Sequence, residues 1–335
     1  MPTKETAAIP TPSAAKPSKA VVTGGAGFIG SNLIASLLAE GKTEVICIDN
    51  LFAGSLANLQ PFLGNPLFKF VQADICNKAA IEPYMHGADV VYHQAAIGSV
   101  PRSFIDPIFT HRTNTEGFLN VLLSARDAGV RRFVYASSSS VYGDSPTLPK
   151  VEDQTGNLLS PYAATKMMKE HYARLLTSSP QHGQMSSVGL RYFNVFGPNQ
   201  SPEGAYAAVI PKFLEAIKHK QPIGIYGDGA QTRDFTYVDN VVQANLKAGQ
   251  AHVPNGEQLV CNVGCGERIT VLEMAQHLVQ IANGQSAIEH LPPRMGDIRD
   301  SLANIDSAKA NLGYHPTIDV REGLKRTYDW FAKQA

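Results

Sequence analysis

The feature that most narrows the folds open to this chain is a glycine-spaced turn. It is the segment VVTGGAGFIG at residues 21–30, set between a β-branched run and an amphipathic stretch. Gly24 permits a sharp turn at a strand end, and Gly27 lets backbone N–H groups approach a ligand closely. Gly30 lets the following helix pack against the strand. The unpartnered N–H groups of a helix start, here Phe28 and Ile29, favour negative charge, so the segment reads as a cradle for a pyrophosphate. The spacing is GxxGxxG rather than the more familiar GxGxxG. About 20 residues further on, a second β-branched run ends in Asp49 and Asn50. A carboxylate there accepts hydrogen bonds from ribose hydroxyls and repels a 2′-phosphate, which predicts NAD rather than NADP.

Short apolar runs at 20–23, 44–48, 68–71, 89–92 and 132–136 alternate with stretches of helical period such as 28–40 and 109–128, and a final run lies at 187–192. This alternation predicts an α/β fold, a Rossmann-type doubly wound parallel sheet covered on both faces. Ligands of such sheets lie beyond the carboxyl ends of the strands. Asp74 and Ile75, after the third run, are placed to meet an adenine. Gln94, Ala95 and Ala96, after the fourth, offer small residues where a dinucleotide passes. After residue 193 Gly, Pro and Asn become frequent, and helical patterns at 209–218 and 271–282 are separated by loops. The organisation expected is a disordered tail over 1–18, an NAD-binding domain over 19–193, and a smaller substrate-binding α/β region over 194–335. The chain is free to cross between the lobes.

Composition excludes several classes of function. Equal numbers of acidic and basic residues give a formal net charge of +0, so no global field draws in nucleic acid or an anionic membrane. An anionic ligand must be met by a few local cations. No run of about 20 apolar residues is present, and the first residues lack the apolar core of a secretory signal. A cytoplasmic protein is the default expectation. Cys47, Cys76, Cys261 and Cys265 are too few for a disulfide scaffold. None has partners at zinc-site spacing, so they are expected to be buried thiols and no metal is expected.

Two further segments carry chemistry. Tyr162 and Lys166, in SPYAATK, stand four apart at the start of a helical pattern and so share a helix face. A phenol ionises only near pH ~10, and an adjacent ammonium, aided by a positive nicotinamide, favours the phenolate. Lys166 can also hold the nicotinamide ribose. The segment YASSSSVYG at 135–143 ends the fifth run. A serine there, Ser138, can hydrogen-bond a substrate hydroxyl and relay its proton to the phenolate.

With these pieces assembled, residues 19–331 resemble the extended short-chain dehydrogenase/reductase family. Within it the chain is most similar to bacterial UDP-N-acetylglucosamine 4-epimerases. The resemblance rests on GSVPRS at 98–103, the serines after Tyr135, SPY at 160–162, RYFNVFG at 191–197, GAYAAVIPK at 204–212, RDF at 233–235 and RMGD at 294–297. It implies epimerisation at C4 of a UDP-hexose through a 4-keto intermediate with recycled NAD, and a homodimer paired through helices near 109–128 and 162–176. Arg233 and Arg294 are candidates for bidentate contact with the diphosphate. By resemblance Asn194 also meets the diphosphate, Asp297 the uridine ribose, and Ala208, Val209, Lys212 and Tyr226 the nucleotide. Gly98, Ser99, Ser139, Asn194 and Gln200 are expected around an acetamido sugar. Relatives restricted to UDP-glucose and UDP-galactose carry a bulky tyrosine at the position of Ser301, so serine here leaves room for a 2-N-acetyl group. Ser139 and Ser140 stand where 4,6-dehydratases and decarboxylases carry acidic residues, which argues against both. UDP-glucuronate 4-epimerase remains the enzymatic alternative, and an NAD-sensing scaffold without the reaction is the non-enzymatic one.

Overall fold

A computed structural model describes residues 18–178, 185–202, 208–284, 286–292 and 299–334. Most of the N-terminal tail, and the predicted contacts Arg294 and Asp297, lie outside the described residues. Seven parallel strands form the central sheet. They are β1 (Ser18–Thr23), β2 (Thr43–Asp49), β3 (Phe68–Gln72), β4 (Val90–His93), β5 (Arg132–Ser138), β6 (Ser186–Tyr192) and β7 (Gln258–Val263). Their spatial order is β7-β6-β5-β4-β1-β2-β3. The order reverses where β1 meets β4, through the register Val22 with Tyr92 and Thr23 with His93. A crevice for ligand opens at such a reversal.

Both faces are buried, and the strands show it residue by residue. Val22, Val45, Cys47, Val134 and Ala136 belong to one hydrophobic core, with Leu33 and Ile34 of helix α1 (Phe28–Ala39). Their neighbours Val21, Ile46, Ile48, Phe133 and Tyr135 belong to the other, with Phe118, Val121 and Leu122 of helix α2 (Gly117–Asp127). Strands buried on two sides need apolar residues at every position, which is why the sequence runs are continuous rather than alternating.

The predicted sheet does not stop at β6. β7 comes from beyond residue 193 and pairs with β6, Cys261 opposite Leu190, so the chain leaves the sheet and returns to it. Helix α5 (Val238–Gln250) also packs on α1 and the sheet. The helix expected at 109–128 is broken as well. A short turn Pro107–His111 passes into a π-type segment, Arg112–Glu116, before α2 begins. The extra residue per turn there swings Asn114 inward, a device common near functional sites. Of the four cysteines, Cys47 and Cys261 are buried as expected, whereas Cys76 and Cys265 are half-exposed; all are free thiols. Among the described residues no helix is long and apolar enough to cross a membrane, and no acidic, His or Cys cluster has the makings of a metal site.

Candidate active site

A single cavity of about 630 Å³ lies at the carboxyl ends of the strands and gathers most of the predicted residues. Gly24, Gly27, Phe28, Ile29, Gly30, Asp49, Asn50, Ile75, Gln94, Ala95 and Ala96 form one part of its wall. Gly24 adopts φ +71, and a Cβ on it would lie 2.5 Å from the Ala95 nitrogen, so the first turn and the β4 loop touch through bare backbone. A Cβ on Gly30 would meet the Gly24 carbonyl at 2.2 Å. The third glycine therefore lets α1 close on the turn itself, not on the strand as expected. Gly27 caps α1 without a side-chain hydrogen bond, which leaves the first helical N–H groups for an anion. This cradle fits a dinucleotide pyrophosphate.

Asp49 is 7% exposed, and its two oxygens accept from the Ala26 and Leu51 backbone nitrogens at 3.0 and 2.8 Å. Burial raises its pKa, and those two N–H groups work in the opposite direction. The carboxylate thus braces the glycine turn while keeping further lone pairs for ribose hydroxyls. Asp74 does not line the cavity. It accepts from the Cys76 nitrogen at 2.8 Å and from Asn50 at 3.2 Å, and its neighbours Ala73 and Ile75 supply the wall instead.

Ser138, Ser139, Tyr162 and Lys166 line the same cavity. Helix α3 (Pro161–Thr177) starts with Pro161 and is capped by Ser160, whose hydroxyl accepts from the Ala163 nitrogen at 3.1 Å. Lys166, one turn along, is 3% exposed. Its Nζ donates to the Ala136 carbonyl at 3.1 Å and stands 5.5 Å from the centroid of the Tyr162 ring. The expected i, i+4 juxtaposition is thus realised at the end of β5.

Four residues that sequence reasoning passed over hold the helix of this pair: Glu170, Arg191, Ser137 and Asn114. One turn beyond Lys166, Glu170 receives both Nε and Nη2 of Arg191 at 3.0 and 2.7 Å, and Ser137 donates to the same carboxylate at 2.5 Å. Burial alone weakens the Arg191 charge, but Glu170 more than compensates and holds the guanidinium above its ordinary pKa. The fourth is Asn114 of the π-type segment. It accepts from the Ile97 nitrogen at 2.7 Å and donates to the Ile97 carbonyl and the Thr165 hydroxyl, each at 3.1 Å. It therefore ties the loop after β4 to the helix that carries Tyr162 and Lys166. The only signal for it was an asparagine on the buried face of an apolar helix pattern.

The rest of the wall comes from the C-terminal region. Asn194, Gln200, Arg233 and Ser301 line the cavity together with Gly98. Arg233 and Ser301 are brought side by side by a backbone clip. The Ser301 nitrogen donates to the Thr232 carbonyl at 3.1 Å, and Arg233 donates to the Arg299 carbonyl at 2.9 Å. Asp234 then accepts from the nitrogens of Cys265, Gly266 and Ala303 at 2.8, 3.0 and 3.1 Å. Gln200 donates to the Val195 carbonyl at 3.1 Å, which fixes its amide, while its buried Oε1 has no partner. Ser99 is turned to another task and caps the short helix Val100–Ile105. Ala208, Val209 and Lys212, at the start of α4 (Val209–Lys218), and Tyr226, ending the strand Ile223–Tyr226, lie outside the cavity wall.

Replacing Glu170 by glutamine leaves the buried Arg191 charge half-answered. Breaking a buried pair costs about 3–5 kcal/mol, expected as a lower urea midpoint with a matching loss of turnover. A loss below about 1 kcal/mol would show that the pair does not hold the helix.

Comparison with known proteins agrees with this geometry. Residues 20–264 match the model of the NAD dependent epimerase/dehydratase family. The UDP-glucose 4-epimerase of Mycolicibacterium smegmatis is 36% identical over 95% of this chain and 99% of its own. Among solved structures, UDP-N-acetylglucosamine 4-epimerase from Methanobrevibacter ruminantium, in complex with UDP-N-acetylmuramic acid, superposes with TM-score 0.89 at 34% identity, covering 96% of this chain and 100% of that one. UDP-glucuronic acid 4-epimerase from Bacillus cereus, in complex with UDP-glucuronic acid and NAD, gives 0.84 at 30% identity, with 95% and 100% covered. With the glycine cradle, the Tyr–Lys pair and the seven-stranded sheet in one cavity, this chain belongs to the NAD-dependent epimerase/dehydratase family, and its cofactor is NAD.

Proposed function

We propose that this protein is a UDP-sugar 4-epimerase that prefers UDP-N-acetylglucosamine and UDP-N-acetylgalactosamine, and also takes UDP-glucose and UDP-galactose. The observation that carries the reaction is the Tyr162–Lys166 pair beside Ser138, in the cavity that also holds the glycine cradle. When bound, NAD supplies a hydride acceptor at C4 and afterwards a donor. Tyr162 takes the proton of the 4-hydroxyl through or beside Ser138, and Lys166 favours the phenolate and holds the nicotinamide ribose. Arg233 meets the diphosphate, so the keto sugar can turn about that tether and be reprotonated by Tyr162 on its other face.

Two features support the acetylated substrate. Ser301 faces the cavity and leaves space that a tyrosine would fill. The unpartnered Oε1 of Gln200 is a buried acceptor in the same wall, and an amide N–H or sugar hydroxyl would satisfy it. Room by itself discriminates weakly, whereas a buried acceptor left unpaired by the wrong substrate discriminates well. The Ser139–Ser140 pair supports return of the ketone over its further processing, since no acid or base stands there to divert it.

We also infer a cytoplasmic homodimer. Phe104, Ile105, Ile108 and Leu175 are 61–80% exposed, on the short helices Val100–Ile105 and Pro107–His111 and on α3, against which both pack. An apolar surface of that kind is suited to a two-fold pairing of helices.

The decisive assay incubates the purified enzyme, without added NAD, with UDP-N-acetylglucosamine, UDP-glucose and UDP-glucuronate in turn. C4-inverted product is expected fastest from the first. Product from UDP-glucuronate alone would replace the substrate assignment, and a 4-keto-6-deoxy product would replace the reaction. Ser301→Tyr introduces overpacking of about 1–3 kcal/mol against the acetamido group. Its kcat/KM for UDP-N-acetylglucosamine should fall roughly 5- to 150-fold, with UDP-glucose turnover kept. Ile108→Arg should convert a two-chain particle into a one-chain particle in light scattering; an unchanged mass refutes that pairing.

A further inference from the structure

Beneath the catalytic pair lies a second lysine that the proposed reaction does not use. Lys169 stands one helical turn below Lys166 on α3 and is 0% exposed, as is His93 at the end of β4. Its Nζ is 3.3 Å from His93 Nε2, and His93 Nδ1 is 2.9 Å from the Thr23 hydroxyl, one residue before the glycine turn. The Phe118 ring lies beneath the amine at 5.4 Å. Among the described residues no carboxylate answers it. Glu170, the next residue, has its oxygens taken by Arg191 and Ser137. The titratable groups that face Lys169 are Lys166 on its own helix and His93 on β4, while Glu170 is turned to Arg191 on β6.

Two ammonium groups side by side in a dry interior repel strongly, so such a pair is most stable with a single proton. Burial, then the charge and hydrogen bond of Lys166, draw Lys169 well below the ordinary lysine range. Burial and the two lysines do the same to His93. The hydrogen-bond capacities then match along the line. A neutral amine has one lone pair to accept from Lys166 and N–H groups to donate to His93 Nε2. His93 in turn is left with Nδ1–H to donate to Thr23.

We propose that Lys169 is a positioning residue for C4 chemistry, a buried hydrogen-bond acceptor that keeps the Lys166 ammonium in place beside Tyr162 and links it through His93 and Thr23 to the cofactor cradle. This rests on the reading of Tyr162 as the base. Removing that acceptor takes a hydrogen bond from the Tyr162–Lys166 pair, and the pH response of turnover reads the loss.

The test is the pH dependence of kcat for the NAD-loaded enzyme and its Lys169→Met and Lys169→Gln variants, with thermal unfolding followed in parallel. Glutamine restores both hydrogen bonds, since its Oε1 accepts from Lys166 and its Nε2 donates to His93. Methionine fills the space and restores neither. The alkaline limb of the methionine variant should fall about one pH unit lower than in the unmodified enzyme, with KM unmoved, while the glutamine variant keeps the original limb. Lys169→Leu serves as the apolar variant should methionine not fold. Equal shifts in the apolar and glutamine variants, or no shift in either, would overturn the proposal. Tyr162→Phe separates this from the underlying reading: retained turnover there refutes Tyr162 as the base, whatever Lys169 does.

Discussion

Glu170 and Arg191 meet where water is excluded, with side chains 7% and 5% exposed, and the arrangement of the site depends on that meeting. Helix α3 is anchored at its start by Ser160, but a cap fixes only where a helix begins. Its rotation and its distance from the sheet are set one turn past Lys166. There the bidentate pair joins α3 to β6, and Ser137 adds β5 through the same carboxylate. The free Arg191 nitrogen is used as well, donating to the Glu152 carbonyl at 2.8 Å, and the guanidinium lies 5.0 Å from the Tyr142 ring. A buried charge pair contributes little net stability once desolvation is counted, but it tolerates only one geometry. Here that geometry places Lys166 under Ala136 and beside Tyr162.

The same logic of shared backbone builds the cofactor side. Gly24 approaches Ala95 more closely than any side chain would permit, Asp49 holds the turn from below, and Asn114 holds the β4 loop from the side. Each contact joins segments far apart in the chain. The cavity exists because the reversal of strand order between β1 and β4 opens a crevice, and because bare backbone and buried amides bring its walls close enough to grip a ligand.

Much of this was legible in advance, and the exceptions follow a pattern. The strands were readable because a sheet buried on both faces demands apolar residues at every position. Tyr162 with Lys166 and the glycine turn were readable because their geometry is local. What escaped was non-local. Arg191 reads as one more residue in a strand until its partner 21 residues earlier is seen on the helix packed against the sheet. Asn114 sits in a segment whose period predicts a continuous helix, and the π-type turn that aims it inward has no periodic signature. β7 was missed because strand membership of a late run depends on a free edge at β6. Ser99 was read as a sugar contact, yet it is spent on capping a helix, a role that competes for the same hydroxyl.

The C-terminal half of the cavity raises a different physical problem, because in the proposed reaction a chain with no net charge must hold a dianion there. One guanidinium on a flexible loop would do so weakly, since a mobile side chain loses entropy with every contact it fixes. Here the cation is carried on backbone that is itself pinned. Arg233 is hydrogen-bonded to the strap at Arg299, and Asp234 beside it takes three backbone N–H groups from two other segments. Burial pushes the Asp234 carboxyl up to about 6 against the pull of those three donors. The hub is therefore an expensive one, retained where a single residue fixes three loops at once. Ser301 enters the cavity on the same strap, so Arg233 and Ser301, the proposed phosphate and sugar contacts, move as one piece. In the proposed reaction, selection at the sugar is thereby measured from the diphosphate, the point about which the substrate turns.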